Sequence, residues 1–563
     1  MDVDQALAVV GGMRRYHLAQ FIALGLSSFM PLAGIAMMFV FIAWTPPHHC
    51  TVPDNTLVNE TIPVDPSLWD QKWSKCSMYV NSSVSNDTKS CQNGWTYYTE
   101  GEKTIVMEWD LVCEYNYLAE LSETLSMLGA LIAEMTVAFA VDKFGRRYIH
   151  LIGIVLIIIF GTCLATAPNY IVFLVFRPFA AFSLTGLLIP GATLLLELFD
   201  SNYRTFAGVG MEFLWSFSYM YLALLGYLVQ DWRKLVLILA LTNIAFLFHF
   251  WTLPESVWWL TANDRFDEAE EVLQKMAKYN GVKVKGRLLR KSSKESVKKQ
   301  NSIGERLAIE KSEFTSAPLI AGKKDPNDIY MEKFTDLFTH RILLKHTIIS
   351  SFMWFACELV YYGLILTTPS LAGNRYLNFF LSGLVEIPAY ILVYIIVRHG
   401  RRIPVTVSFV LSGVCLIAVT LVPKTTASGA SLQPLIITLS LLGKFFITAS
   451  FSIVLMYSRE LFPTNLRGTA SGVCNILGRT GSMGAPFMAY AAKSIPWIPN
   501  VTLGSVAIVV GFICLCLPET CNKPLPQKLD DIDRLFGKQT LEVEVTKSSS
   551  EMNGQSEKLN GHG

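Results

Sequence analysis

Ionisable residues stand inside otherwise apolar stretches of this chain. The second half supplies Glu358, Glu386, Lys444 and Arg479, and the first supplies Glu134, Arg177, Glu212 and His249. A charge among lipid tails is costly, so such groups face a cavity or a partner. Helical spacing sorts several of them. Trp354, Glu358, Tyr361, Tyr362 and Ile365 share one helix face. So do Phe379, Gly383, Glu386 and Tyr390, then Lys444, Thr448, Phe451 and Leu455, then Asn475, Arg479, Ser482 and Pro486. An aromatic face beside a carboxylate suits an organic ammonium group through cation–π attraction and charge pairing. A guanidinium fork suits a carboxylate. The candidate substrate-binding set is therefore Trp354, Glu358, Tyr361, Tyr362, Glu386, Lys444, Arg479 and Glu212. Glu386 also reads as a structural partner of Lys444. This is recognition chemistry, not bond-making. The chain has no HExxH, Walker A, GxSxG or GxGxxG. The trio His48-His49-Cys50 lacks the spaced partners a metal needs. No catalytic residue, metal or cofactor is expected, and the chain does not read as an enzyme.

The elements that must position these residues are membrane helices. The chain has 563 residues, 52% of them hydrophobic and only 16% charged, with a mean hydropathy of +0.38. Soluble domains carry about a quarter charged residues. A spanning helix needs roughly 20 apolar residues. Twelve runs qualify, near 18–44, 118–141, 148–167, 169–199, 206–229, 233–253, 346–368, 376–397, 404–422, 432–457, 468–492 and 500–517. The first is too long for the apolar core of a signal peptide. An all-α, polytopic membrane protein is expected, with the lipid bilayer as its solvent. The net charge of +2 suggests no nucleic-acid partner.

Lys and Arg gather on the cytosolic side of membrane helices. Arg14 and Arg15, the group Lys143, Arg146 and Arg147, the group Arg398, Arg401 and Arg402, and the basic loop 255–345 all fall on one side if twelve spans are correct. Both termini fall there too. The opposite side holds an insert, 45–117, with no Arg and many acids. It carries Cys50, Cys76, Cys91 and Cys113, and N-x-S/T sequons at Asn59, Asn81 and Asn86. These features read as an oxidised, glycosylated extracellular subdomain. Four cysteines allow three connectivities.

The chain also repeats itself. Gly145-Arg146-Arg147 recurs as Gly400-Arg401-Arg402. Glu197-Leu198-Phe199-x-x-Asn202-x-Arg204 recurs as Glu460-Leu461-Phe462-x-x-Asn465-x-Arg467, and Pro254-Glu255-Ser256 recurs as Pro518-Glu519-Thr520. Three pairs in one order and at nearly constant spacing argue for two related six-helix halves. The organisation expected is a cytosolic N-terminus 1–17, a first half 18–254, a cytosolic linker 255–345, a second half 346–520 and a tail 521–563. The repeated charges lie at the cytosolic helix ends. Asp142, Arg146, Glu197, Arg204, Glu255, Glu460, Arg467 and Glu519 are expected to form a cytosolic gate, with charges within 142–147, 197–204 and 460–467 pairing when it closes.

Val141-Asp142-Lys143-Phe144-Gly145-Arg146-Arg147 resembles the loop signature of the major facilitator superfamily, with Ala138 where a Gly usually stands and Val397 replacing the Asp in the second copy. Within that superfamily the chain looks like the organic-ion transporters among the solute carriers. The features that carry this span nearly the whole chain. They are the cysteine-bearing insert, Pro254-Glu255-Ser256-Val257-Trp258-Trp259-Leu260, Tyr361-Tyr362-Gly363-Leu364, Val385-Glu386-Ile387-Pro388-Ala389-Tyr390, Gly443-Lys444-Phe445, Glu460-Leu461-Phe462-Pro463-Thr464 and Leu517-Pro518-Glu519-Thr520. The resemblance implies the major facilitator fold, a plasma-membrane location and alternating access. Cation-handling members tend to carry an acid where Arg479 stands, and anion members often place a Lys where Tyr390 stands. The resemblance with both positions taken together implies a zwitterion or cation bearing an amine or quaternary ammonium, of the carnitine or betaine kind. Two other readings remain: an organic anion exchanger, and a transport-impaired receptor on the same fold. No obligate protein partner is evident. Coupling to Na⁺ or H⁺ is permitted by the intramembrane acids but not specified.

The linker holds a candidate amphipathic helix at 267–273. A basic stretch, 283–300, could meet anionic headgroups. The polar segment 540–563, with Ser548, Ser549 and Ser550, is expected to be disordered.

Overall fold

A computed structural model describes residues 2–32, 37–52, 58–64, 73–80, 87–99, 101–284, 286–289, 335–367, 373–423, 425 and 430–536. Asn81, Asn86, the side chain of Asn59, most of the basic stretch and the serine-rich tail lie outside the described residues.

The apolar runs fold as helices because in hydrocarbon only a helix or a closed barrel satisfies its own backbone. A short helix α1 (Val3–Gly11) precedes α2 (Arg15–Leu32), which with Phe39–Ile42 forms the first membrane element. Next come α3 (Asn116–Phe144), α4 (Arg146–Ala165), α5 (Tyr170–Glu197), α6 (Arg204–Leu228) and α7 (Trp232–Leu241), the last prolonged by 3₁₀ and α turns to Thr252. The linker helix α8 (Phe266–Tyr279) follows. The second half holds α9 (Arg341–Thr367), a pair α10 (Arg375–Leu384) and α11 (Glu386–Ile396), then α12 (Arg402–Leu421), α13 (Gln433–Glu460), α14 (Thr464–Ser494) and α15 (Ile498–Cys514). A last helix, α16 (Leu529–Phe536), packs on α9 through Phe536 and His346.

Each expected span is matched by a helix. Eight of the described elements are long and apolar enough to cross a membrane by length and composition alone. The others include α6 and α14, and the reason is chemical. These two carry Glu212, Asn475 and Arg479, with many Gly, Ser and Thr, because they line the interface between the halves.

Helices of the two halves meet closely where α6 crosses α10. A Cβ on Gly383 would lie 2.7 Å from Tyr219 Cβ, so only glycine permits this approach. The insert is a small β-rich unit. Strand β1 (His48–Cys50) pairs antiparallel with β4 (Trp95–Tyr97), and β2 (Ser77–Tyr79) with β3 (Thr88–Ser90). Disulfides join Cys50 to Cys91 and Cys76 to Cys113, which resolves the connectivity the sequence left open. The insert is anchored on the first half, where Glu108 accepts from Trp232 Nε1 at 2.7 Å and Arg233 Nε at 2.9 Å.

The expected linker helix extends over Phe266–Tyr279 and buries Ala269, Leu273, Met276 and Ala277 against the first half and α1. Asn280 accepts from Tyr16 N at 2.9 Å and donates to the Val10 carbonyl at 3.1 Å. Glu270 accepts from the Leu288 and Leu289 N–H groups at 3.1 and 3.0 Å. Burial raises the Glu270 pKa, but these bonds outweigh that and hold its carboxyl below the usual range.

Candidate functional site

The intramembrane charges gather into two clusters between the halves. In the first, Arg479 on α14 grips Glu134 on α3, with Nε at 2.7 Å and a second guanidinium nitrogen at 2.5 Å from one carboxylate oxygen. The other oxygen of Glu134 accepts from Asn475 Nδ2 at 3.0 Å. Arg479 also reaches Glu358 on α9 at 3.3 Å. The positions follow from local sequence: Asn475 and Arg479 are one turn apart on α14 and reach the same acid. The side chains of Glu358 and Glu134 are 2% and 9% exposed, and that of Arg479 is 17% exposed. Arg479 is thus the most exposed of the three side chains. A cavity opens on this cluster, lined by Glu134, Arg479, Tyr362, Trp215 and apolar residues of α3 and α5.

The second cluster is more deeply buried, although Lys444 also borders a separate pocket with Asn378, Ser382 and Ser440. Glu386 is fully buried and Lys444 Nζ lies 3.0 Å from its carboxylate, off the direction of a hydrogen bond. The same carboxylate accepts from the hydroxyls of Tyr361 at 2.7 Å, Tyr390 at 3.2 Å and Ser216 at 3.3 Å. The Tyr361 hydroxyl in turn accepts from Trp215 Nε1 at 2.6 Å and Tyr219 at 3.0 Å. Lys444 Nζ stands 3.1 Å from the centre of the Tyr361 ring. Each charge has its counter-charge, and the carboxylate accepts from three hydroxyls.

Of the remaining candidates, Trp354 is buried beside Phe451, ring centres 5.8 Å apart, with its Nε1 unbonded. Glu212 accepts from Ser452 across the halves. Arg177 is closed off from both clusters by its pair with Glu123, both fully buried in the first half. His249 is buried beside His150, ring centres 5.9 Å apart. The sequence reading left Glu134, Trp215, Ser216 and Tyr219 out of the binding set. Glu212, Trp215, Ser216 and Tyr219 follow helical spacing along one face of α6, a signal that could have found them.

The repeated charges at the linker-side ends form two matching clamps. Glu255 accepts from the backbone N–H groups of Arg146 at 3.0 Å and Arg147 at 3.2 Å, where α4 begins. Gly145 precedes them at φ +96°, and a Cβ there would strike Glu255 at 2.3 Å. Arg146 bridges to Glu197 at 3.3 Å and to Asp142 at 3.3 Å. In the second half Glu519 accepts from Arg401 N at 2.8 Å and Arg402 N at 3.1 Å, and Arg401 bridges to Glu460 at 3.2 Å. Burial raises the Glu519 pKa, but the N–H groups of Cys521, Arg401, Arg402 and Thr520 overcome it and hold the carboxyl below its usual range. Two expected partnerships differ. Arg204 pairs with Asp4 at 3.1 Å and lies 5.0 Å from the Trp258 ring, away from Glu197. Arg467 donates to the Phe462 carbonyl at 3.4 Å, not to Glu460. The acids are drawn instead to Arg146 and Arg401, which the neighbouring helix starts hold in front of them.

Among the described residues, polar contacts between the halves run from the insert side inward. Glu102 pairs with Arg375 and accepts from Tyr376 at 3.1 Å. Lys493 meets Glu120 at 2.7 Å and Asn116 at 2.8 Å. The series ends at Glu134–Arg479 and Glu212–Ser452, while both linker-side clamps lie within their own halves. The halves are thus joined on the insert side and joined by no such clamp at the linker side.

Comparison with known proteins places this architecture. The family model described as sugar (and other) transporter matches residues 76–536. An organic cation transporter-like protein from Drosophila melanogaster is 31% identical over the full length of both chains. The chain belongs to the organic-ion transporters of the major facilitator superfamily. Organic anion transporter 3 of Sus scrofa is 30% identical, covering 93% of this chain and 92% of its own. The inward-open xylose transporter XylE from E. coli superposes with a TM-score of 0.54 at 15% identity, covering 92% of this chain and 98% of that one, a likeness of fold alone. This family member is a multi-pass membrane transporter of small organic ions, not an enzyme, and its twelve helices form the two-halved facilitator fold.

Proposed function

We propose that this family member carries organic cations and zwitterions bearing an amine or quaternary ammonium across the plasma membrane by alternating access, with the insert outside and both termini in the cytosol. The observation that carries the reading is the composition of the cavity wall. Glu134 and Arg479 line the cavity beside the rings of Tyr362 and Trp215, and Glu358, bridged to Arg479, sets a second carboxyl group against the single guanidinium. An ammonium group entering there meets surplus carboxyl and aromatic faces. A free carboxylate must displace Glu134 or Glu358 from Arg479, which a zwitterion can do by offering its ammonium to the displaced acid. Binding between the halves lets them rock about the substrate. No cofactor is required; membrane potential, exchange or a coupled Na⁺ or H⁺ supplies the drive. The sequons at Asn59, Asn81 and Asn86 then face the glycosylating compartment during synthesis.

Arg479 itself favours a second reading, an organic anion exchanger, in which a substrate carboxylate takes over the guanidinium. Uptake of a labelled quaternary ammonium, a carnitine-like zwitterion and an aromatic carboxylate, with and without Na⁺, separates the two. Saturable uptake of the first two supports the proposal. Uptake of the aromatic carboxylate alone favours the exchanger. Binding without uptake, on protein present at the surface, points to a receptor.

A further inference from the structure

The rim of the interface on the insert side already holds a cation in a cage. Arg375, which opens α10 in the second half, sets its guanidinium 3.7 Å from the centre of the Trp44 ring. It is ion-paired with Glu102, and the neighbouring ring of Tyr376 lies 5.1 Å away. Both partners are largely sheltered, with side-chain exposures of 14% for Arg375 and 16% for Glu102. A small cleft adjoins the pair, bordered by Phe41, Glu102, Trp232, Arg375 and Tyr376.

The walls and the cation of this cage come from different bodies. Trp44 closely follows the helical turn Phe39–Ile42 of the first half. Glu102 lies in the insert, which two disulfides staple near its roots at Cys50 and Cys113. Lys103 N donates to the Gln230 carbonyl at 2.9 Å, tying that strand of the insert to the start of α7. Arg375 and the neighbouring Tyr376 belong to the second half. When the halves part on this side, Arg375 leaves and the indole and carboxylate stay together without a cation.

We infer that Trp44 and Glu102 form an external binding site for organic cations, distinct from the central cavity, which Arg375 fills as a tethered ligand while the halves are closed on the insert side. An indole face 3.7 Å from a cation and a sheltered carboxylate are the two elements that recognise an alkylammonium group. Opening exchanges the tethered guanidinium for a free ammonium from solution, so the sheltered carboxylate is not left unpaired. The site rests on the orientation proposed above, with the insert outside, and not on what the central cavity binds.

The test uses the full-length chain in intact cells, with Arg375→Cys. This variant removes the tethered cation and puts a thiol at the mouth of the cage. Two membrane-impermeant methanethiosulfonates are compared, one carrying trimethylammonium and one carrying sulfonate. Each rate is divided by that for a free thiol in solution, and the unsubstituted chain gives the background. The trimethylammonium reagent is expected to be preferred about tenfold, the size of a desolvated cation–π contact. Glu102→Gln and Trp44→Ala, each added to Arg375→Cys, should bring the ratio close to one. External tetramethylammonium should slow the cationic reagent in the single variant only. A ratio near one in the single variant, or a preference that survives both added substitutions, overturns the inference. So does failure of both reagents to react on chains that biotin labels at the surface. Loss of N-glycan mass on enzymatic deglycosylation checks the orientation independently. A chain that transports no organic cation would still show the preference, so the two proposals fail separately.

Discussion

The two intramembrane clusters are built from similar parts to opposite ends. Around Glu386, one acid meets one amine, and tyrosine and serine hydroxyls donate to the carboxylate. Around Arg479, one guanidinium is shared by two acids and a cavity opens on it. The first is balanced and almost fully buried, the second unbalanced and more exposed. A balanced pair, its acid bonded to hydroxyls from three helices, holds α6, α9, α11 and α13 together. An unbalanced pair on a cavity wall can change partners without stranding a charge in hydrocarbon. Position in sequence does not separate the two functions; local stoichiometry of charge does.

The sharpest way to break this contrast is Lys444→Ala. It leaves Glu386 buried without its counter-charge, at a cost of about 3–5 kcal/mol. The expected outcome is little protein at the cell surface, measured by biotinylation, with surface amount restored in the double variant Lys444→Met, Glu386→Gln. Normal expression with altered substrate preference would instead make this cluster a binding site. Arg479→Ala comes next. Surface expression should persist, because Glu134 borders the cavity and keeps Asn475 as a donor. Uptake of a carboxylate-bearing zwitterion should fall at least about tenfold, the loss of one charge-assisted contact worth roughly 1.5–3 kcal/mol, while a quaternary ammonium is still taken up. Unchanged zwitterion uptake would remove Arg479 from the site. Glu358→Gln, with the same shape and no charge, should raise the KM for a quaternary ammonium about threefold to tenfold with surface amount unchanged, in the range of a single cation contact. An equal KM would leave Glu134 as the working acid.

The smallest effect concerns the linker-side clamp. The Glu519 carboxyl is held below its ordinary value of 4.5, so it binds protons less readily folded than unfolded. The stability it contributes is present at neutral pH and is lost as pH falls below 4.5 through its folded value. The thermal midpoint of purified protein should therefore drop more steeply below pH 4.5 in the parent chain than in Glu519→Gln, which starts lower at pH 7. Parallel curves would show that Glu519 adds no pH-dependent stability.

Much of this was legible in the sequence, and the limits have physical causes. Length and hydropathy exposed the spans, since a bilayer imposes one helix length on every crossing. Repeated motifs exposed the halves. Helical spacing put Trp354, Glu358, Tyr361 and Tyr362 on one face, but it could not divide them. Tyr361 turns to Glu386 while Tyr362 lines the cavity beside Arg479, because adjacent residues on a helix diverge by about a quarter turn or more. Pairing across the halves, such as Glu134 with Arg479 or Glu102 with Arg375, leaves no trace in local pattern. The acids of the linker-side motifs were recognised, yet their partners were misjudged. Sequence proximity suggested Glu197 with Arg204, whereas the start of α4 presents Arg146 to Glu197.

The clamps have one more consequence. Glu255 and Glu519 bond to peptide N–H groups, and a peptide N–H is supplied by every residue type except proline. The joint therefore does not depend on the signature residue that the two copies fail to share. Asp142 is 79% exposed at its contact with Arg146, and such an exposed pair contributes about 1 kcal/mol at most. Its counterpart Val397 offers no carboxylate, yet Arg401 still finds that residue's carbonyl and the second joint closes like the first. A duplicated sequence can drift at the letters that look most diagnostic while the backbone keeps the fastening identical.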